Sequence, residues 1–145
     1  LGMSTRSLSV KRRVEKGRCA LVIDGDATFC EGISKHLVSV GMEARVTPDP
    51  DEALAFIGRE RPELVFINID APRYGGLKVA RIAAALHAGV VIVLVADDSE
   101  ALARAEKAQG TVAVAAFQKP ISRIQVQRVA EVAGISSVPV AAALA

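Results

Sequence analysis

The chain has no tryptophan, one tyrosine and four phenylalanines among 145 residues, so aromatic side chains make up only 3% of it. A site that stacks a flavin, or a surface that stacks unpaired bases, would have few rings to draw on. There are two cysteines, Cys19 and Cys30. They match no metal or redox spacing and cannot build a disulfide framework, which fits a reducing, cytoplasmic setting. No apolar run approaches the roughly 20 residues of a membrane-spanning helix. The longest, Ala88 to Ala96, is of buried-strand length. The first eighteen residues have no apolar core segment of the kind a secretory signal carries. No glycine-rich phosphate loop occurs: Asp24-Gly25-Asp26 lacks the glycine spacing of a dinucleotide or P-loop turn.

What is present is an ordinary globular composition, 51% hydrophobic and 23% charged, of single-domain length. The net charge of +2 hides an asymmetry. Residues 1–18 hold six basic side chains against Glu15, whereas the remainder carries 12 basic and 15 acidic residues. A basic extension (1–18) is thus joined to a mildly acidic domain (19–134), with an Ala-rich tail or linker (135–145). The pI of 8.7 is therefore no sign of nucleic-acid binding by the domain itself.

From Cys19 onward, strand and helix signals alternate. Strands are expected at 19–23, 42–47, 64–67, 90–95 and 111–117, and helices at 27–40, 50–61, 77–87, 99–109 and 121–132. Asp26 and Asp49 are expected N-caps, with Pro50 in the first turn and Glu52 completing a capping box. Asp97 and Asp98 are expected to cap the fourth helix, and Gly110 to end it. Strands that are apolar on both faces imply a doubly wound α/β fold, a five-stranded parallel sheet covered by five helices. In such a sheet the functional crevice lies outside the carboxyl ends of the strands. The residues there are Asp24, Gly25 and Asp26, then Asn68 and Asp70, then Val95 and Ala96, and finally Lys119 and Pro120.

With Leu21 to Asp24, Pro62 to Val65, Pro72, Gly76-Leu77 and Lys119-Pro120 in this order, the chain from about Cys19 to Gly134 resembles a response-regulator receiver domain. The resemblance implies two acids after the first strand and a phosphoryl-accepting Asp ending the third, together holding Mg²⁺. It also implies a Thr or Ser after the fourth strand, a Lys after the fifth, and a switch aromatic on the fifth.

Matched position by position, Asp24 and Lys119 remain. The second acid is replaced by Gly25, the acceptor by Asn68, the hydroxyl by Val95 and the aromatic by Ala116. A carboxamide offers no anionic nucleophile for an acyl phosphate, so the resemblance is to a degenerate, or pseudo-, receiver. Asp24 and Lys119 are expected to form a charge-balanced pair with no metal, Asn68 donating to Asp24. An offset cluster of Asp24, Asp26 and Asp70 is the alternative, with Mg²⁺ as its cofactor.

The expected function is a non-enzymatic module of two-component (phosphorelay) signalling, acting through protein contacts. The alternatives are a phosphate-responsive receiver using the offset acids, or the regulatory half of a DNA-binding regulator whose output part is not in this chain. The resemblance implies an interaction or homodimer face on the fourth helix, fifth strand and fifth helix, here with Glu100, Arg104, Glu106, Lys107, Arg123 and Arg128. Neither a membrane nor nucleic acid is an expected partner of the domain alone. Cys30 is expected in the core, and His36 and His87 stand too far apart for a shared site.

Overall fold

A computed structural model describes residues 18–134; the basic extension before Arg18 and the tail 135–145 lie outside the described residues. Ten elements alternate: β1 (Cys19–Ile23), α1 (Ala27–Ser39), β2 (Glu43–Thr47), α2 (Pro50–Glu60), β3 (Leu64–Asn68), α3 (Gly76–Leu86), β4 (Val91–Ala96), α4 (Ser99–Val112), β5 (Ala115–Gln118) and α5 (Arg123–Val132). The strands form one parallel sheet in the order β2-β1-β3-β4-β5. This is the expected doubly wound α/β architecture.

Because successive strand residues point to opposite faces, the apolar runs supply two cores at once. Ala20, Val22, Leu64, Phe66, Val93 and Val95 face α1 and α5, where Ile33, Leu37, Val126 and Val129 close over them. Leu21, Ile23, Val65, Ile67, Ile92 and Leu94 face α2, α3 and α4, meeting Ile57, Val79, Ala83 and Ala105. All five residues of β3 are buried, as the central strand of a covered sheet requires.

Several boundaries differ from the sequence pattern. α4 continues through Gly110 to Val112, and Ala113 N–H closes its last turn on the Gln109 carbonyl. Gly110 has open space around it; a glycine in an exposed helix interior costs only about 1 kcal/mol, too little to stop a helix that is already growing. β5 consequently begins at Ala115 and not at Thr111.

α5 starts at Arg123 and not at Ile121. Ser122 and Gln125 form a reciprocal capping box, and Ile121 drops into the core. At α2, Asp49 caps by accepting from Asp51 N–H, but Glu52 does not complete a box, because its carboxylate takes the Thr47 hydroxyl. The remaining ends agree within two residues: β2 begins at Glu43, α1 ends at Ser39, α2 ends at Glu60, β3 extends to Asn68, α3 spans Gly76–Leu86 and β4 runs to Ala96.

The β3–α3 connection makes the closest backbone approach at the site end of the sheet. A Cβ on Gly76 would lie 2.3 Å from the Asn68 carbonyl oxygen and 2.7 Å from Ile69 Cα. Gly76 N–H donates to the Ile69 carbonyl at 2.8 Å. Only glycine fits there, and its fit sets where the strand carrying Asn68 ends.

Candidate functional site

The carboxyl ends of β1, β3, β4 and β5 meet around a cleft of about 350 Å³, lined among others by Asp24, Gly25, Asp26, Asn68, Asp70, Asp97 and Lys119. Asp24 directly follows β1 and is buried, its side chain only 3% exposed. One carboxylate oxygen, Oδ1, accepts Asp26 N–H at 2.8 Å, Oδ2 accepts the Asn68 amide at 2.9 Å, and Lys119 Nζ lies 3.0 Å from both. Every oxygen of this buried anion thus meets donors, as burial of a charge demands.

Asn68 ends β3. Its Oδ1 accepts Asp70 N–H at 2.8 Å, which turns Nδ2 toward the acids, where it donates to Asp24 and, at 3.1 Å, to Asp97. Lys119 follows β5 and is 13% exposed. It reaches Asp97 at 2.8 Å and Asp26 at 3.5 Å besides Asp24, and its ammonium sits 4.6 Å from the centre of the Phe29 ring. Burial alone would lower its affinity for a proton; hydrogen bonds to Asp97 and Asp24 outweigh that and raise its pKa. The Asp97 carboxyl is held below the ordinary carboxylate value, chiefly by the Lys119 hydrogen bond. Asp26 is lowered too, first by Phe29 N–H, the capping bond that starts α1.

Asp97 corrects the expectation of a balanced pair. Asp98 alone caps α4, accepting from Ala101 N–H. Asp97 instead turns back over the strand ends. With Asp24 and Asp26 it gives three carboxylates around one ammonium, a formal −2 and not zero. The sequence held one cue, two adjacent acids where a cap needs one.

Asp70 does not join this group. Its carboxylate is taken by both terminal nitrogens of Arg104, at 2.8 and 3.0 Å, and Glu100 holds the same guanidinium. Among the described residues, no three His, Cys, Asp or Glu side chains stand in a metal-holding group.

Gly25 leaves room: a Cβ there would meet only Pro48, at 3.8 Å. Val95 is buried against the α1 and α5 side. Ala116 is half-buried on the α4 side, and the nearest ring of the strand, Phe117, points to the opposite face. Cys30 is buried with its thiol pushed up to about 11 by desolvation, and its Sγ contacts the Asp24 carbonyl. Of the charged residues on the α4–β5–α5 face, Arg104 is engaged by Asp70, and Arg123 reaches Ser39 on α1. Glu106, Lys107 and Arg128 are exposed.

A parallel sheet in this strand order, with an acid after β1 and a Lys-Pro after β5 meeting at one cleft, defines a class of signalling module. The chain belongs to the response regulator receiver domain family, whose family model matches residues 20–131. It is similar to the DNA-binding response regulator MtrA of Mycobacterium tuberculosis, 34% identical over 74 residues that cover 51% of this chain and 32% of that protein. Response regulator MprA of Mycolicibacterium vanbaalenii is 34% identical over 61 residues, 42% of this chain and 26% of that protein. The chain thus spans about a third of the length of the MtrA relatives it matches.

Among solved structures, NtrX from Brucella abortus in complex with ADP aligns with a TM-score of 0.71 at 27% identity over 79% of this chain and 26% of that one. A CheY-like receiver domain from Methylobacillus flagellatus aligns at 0.70, covering 80% and 98%, and at 19% identity shows the fold alone. No helix of the described residues is long and apolar enough to cross a membrane.

Proposed function

We propose that this receiver domain does not accept a phosphoryl group at the usual position and signals through protein contacts. The observation that carries this reading is the Asn68 amide, which donates to Asp24 and Asp97 from the position where an acceptor would attack. An acyl phosphate needs an anionic carboxylate oxygen as nucleophile. Asn68 supplies a neutral amide whose oxygen is already turned to Asp70 N–H.

Resident Mg²⁺ has no place in this reading. Mg²⁺ asks for near-octahedral oxygen ligation through carboxylates and water. The two Asp24 oxygens are occupied by Lys119, Asn68 and Asp26 N–H, and Gly25 offers no ligand. The offset acids fare no better, because Asp26 caps α1 and Asp70 is paired to Arg104. The partner surface in this reading is the α4–β5–α5 face, used toward a signalling protein or a second copy of the chain.

The test is exposure of the domain to acetyl phosphate or beryllofluoride with Mg²⁺, read by intact mass and by amide chemical shifts. The expected result is no phosphoryl adduct and no shift cluster. An adduct, or shifts gathered at Asp24, Asp70 and Lys119, would overturn the reading.

A second reading concerns context. The named relative MtrA is a DNA-binding response regulator, and the match covers 32% of it. By that likeness the domain is the regulatory part of a longer DNA-binding regulator. Sequencing the full reading frame checks this: a DNA-binding domain beyond Ala145 supports it, and a stop codon there counts against it.

A further inference from the structure

Two side chains tie α4 to the site end of the sheet, and neither stands at a position where the family resemblance places a site residue. Asp97, on the loop between β4 and α4, has its carboxylate on Lys119 Nζ at 2.8 Å and on Asn68 Nδ2 at 3.1 Å. Arg104, in the second turn of α4, grips Asp70 on the β3–α3 loop with two hydrogen bonds while Glu100 braces it from the turn before. The helix start does not depend on Asp97, because Asp98 supplies the cap. The side chains that would couple α4 to a phosphoryl group by another route are missing: Val95 has no hydroxyl and Ala116 no ring.

From this placement we infer that Asp97 is an internal latch, an anion carried on the β4–α4 loop that occupies Lys119 and Asn68 and so holds α4 on the site without any modification. The inference deepens the reading of a site that takes no phosphoryl group, and it rests on that reading. Lys119 and Asn68 each direct a donor toward the mouth of the cleft. Besides Asp24, one further carboxylate of the chain itself accepts from both groups, and it enters from the element whose position the output face depends on. The second tie, between Arg104 and Asp70, holds the same helix one turn further along. The α4 face is therefore biased toward one position with no phosphoryl signal. A partner that recognises it needs no upstream phosphodonor, and a regulator of it must break or compete for the latch.

The experiment is amide hydrogen exchange on the domain and on Asp97→Asn, which keeps size and removes charge, with Asp97→Ala as a second variant. Loss of a partly exposed charge pair is expected to speed exchange about fivefold in the first turns of α4, from Ala101 to Ala105. Amides of β1 and β3 should keep their rates, and Arg104→Met should add to the α4 effect. Unchanged α4 rates in both variants, or an equal rise in α4 and in the core strands, overturns the latch. The two readings fail separately: a phosphoryl adduct on the unaltered domain overturns the lost-acceptor reading, whereas unchanged α4 exchange with no adduct overturns the latch alone.

Discussion

Replacing Asn68 with Asp tests the site most directly, because the residue restored would be the one an active receiver uses. The Asn68 amide donates to Asp24 at 2.9 Å and to Asp97 at 3.1 Å. Hydrogen bonds to charged groups contribute about 1.5–3 kcal/mol each. The bond to Asp97 counts for much less than that, because Asp97 is 58% exposed and screened by water. An ionised Asp at this position would instead set a third carboxylate against those two, at about 4 kcal/mol per close pair for an effective dielectric of 20. The protein can avoid that repulsion by keeping the new acid protonated. Holding a proton at neutral pH against an ordinary value near 3.9 costs about 4 kcal/mol, which caps the penalty, and a retained O–H donor gives part of it back.

Asn68→Asp should therefore be about 2–4 kcal/mol less stable at pH 7, a fall of roughly 10 °C in Tm for a domain of this size. The sign with pH follows from a raised folded pKa on an acid. The penalty is present above the ordinary Asp value, grows up to the folded value, and vanishes as pH falls below about 4. Urea unfolding of both proteins at pH 7 and near pH 4 reads this out. A variant as stable as the parent at pH 7 would refute the donor role of Asn68, and a gap that does not narrow on acidification would refute the carboxylate repulsion. With Mg²⁺ and acetyl phosphate, the variant should still gain no phosphoryl group, since Gly25 leaves the metal site one acid short. Robust labelling would show that the site was lost at Asn68 alone.

The remaining predictions concern the frame of the site. Gly76→Ala should destabilise by about 3 kcal/mol, since its Cβ would meet backbone at 2.3 and 2.7 Å and not a yielding side chain; thermal unfolding checks this, and a neutral effect would place the β3–α3 loop wrongly. The lowered pKa values of Asp97 and Asp26 put their contribution to stability above the ordinary carboxylate value, to be lost as pH falls through their lower folded values. Asp97→Asn should accordingly show a shallower loss of stability than the parent as pH falls below the ordinary carboxylate value, measured by urea midpoints.

The fold was readable because its signals are local. Runs such as Leu64 to Ile67 and Val90 to Val95 are apolar at every position, which only a sheet covered on both faces accepts, and the caps at Asp26 and Asp49 lie within three residues of what they cap. Boundaries failed where a residue's local preference met a tertiary demand: Ile121 left the helix for the core, and Gly110 stayed in one. At the site, Asp24, Asn68 and Lys119 follow from strand ends and the Asn68–Asp24 contact from simple charge logic. Asp97 did not, because its partners are 29 and 22 residues away and its neighbour Asp98 gave the pair a sufficient local purpose. Arg104 was legible as a surface charge on α4 but not as the partner of Asp70, 34 residues distant. No spacing rule announces a pair formed when a helix and a distant loop fold toward each other.

The alternation along β5 has one more consequence. A strand is a wall with two sides, and each residue's side is settled by whether its position is odd or even. Ala116 looks toward α4, and Phe117 looks toward α1 and α5. No rotation about Cα–Cβ carries a ring through the sheet, so Phe117 cannot act on behalf of the alanine beside it. Events on the α4 side of this wall pass by a methyl group, while the strand's one ring reports to the opposite room.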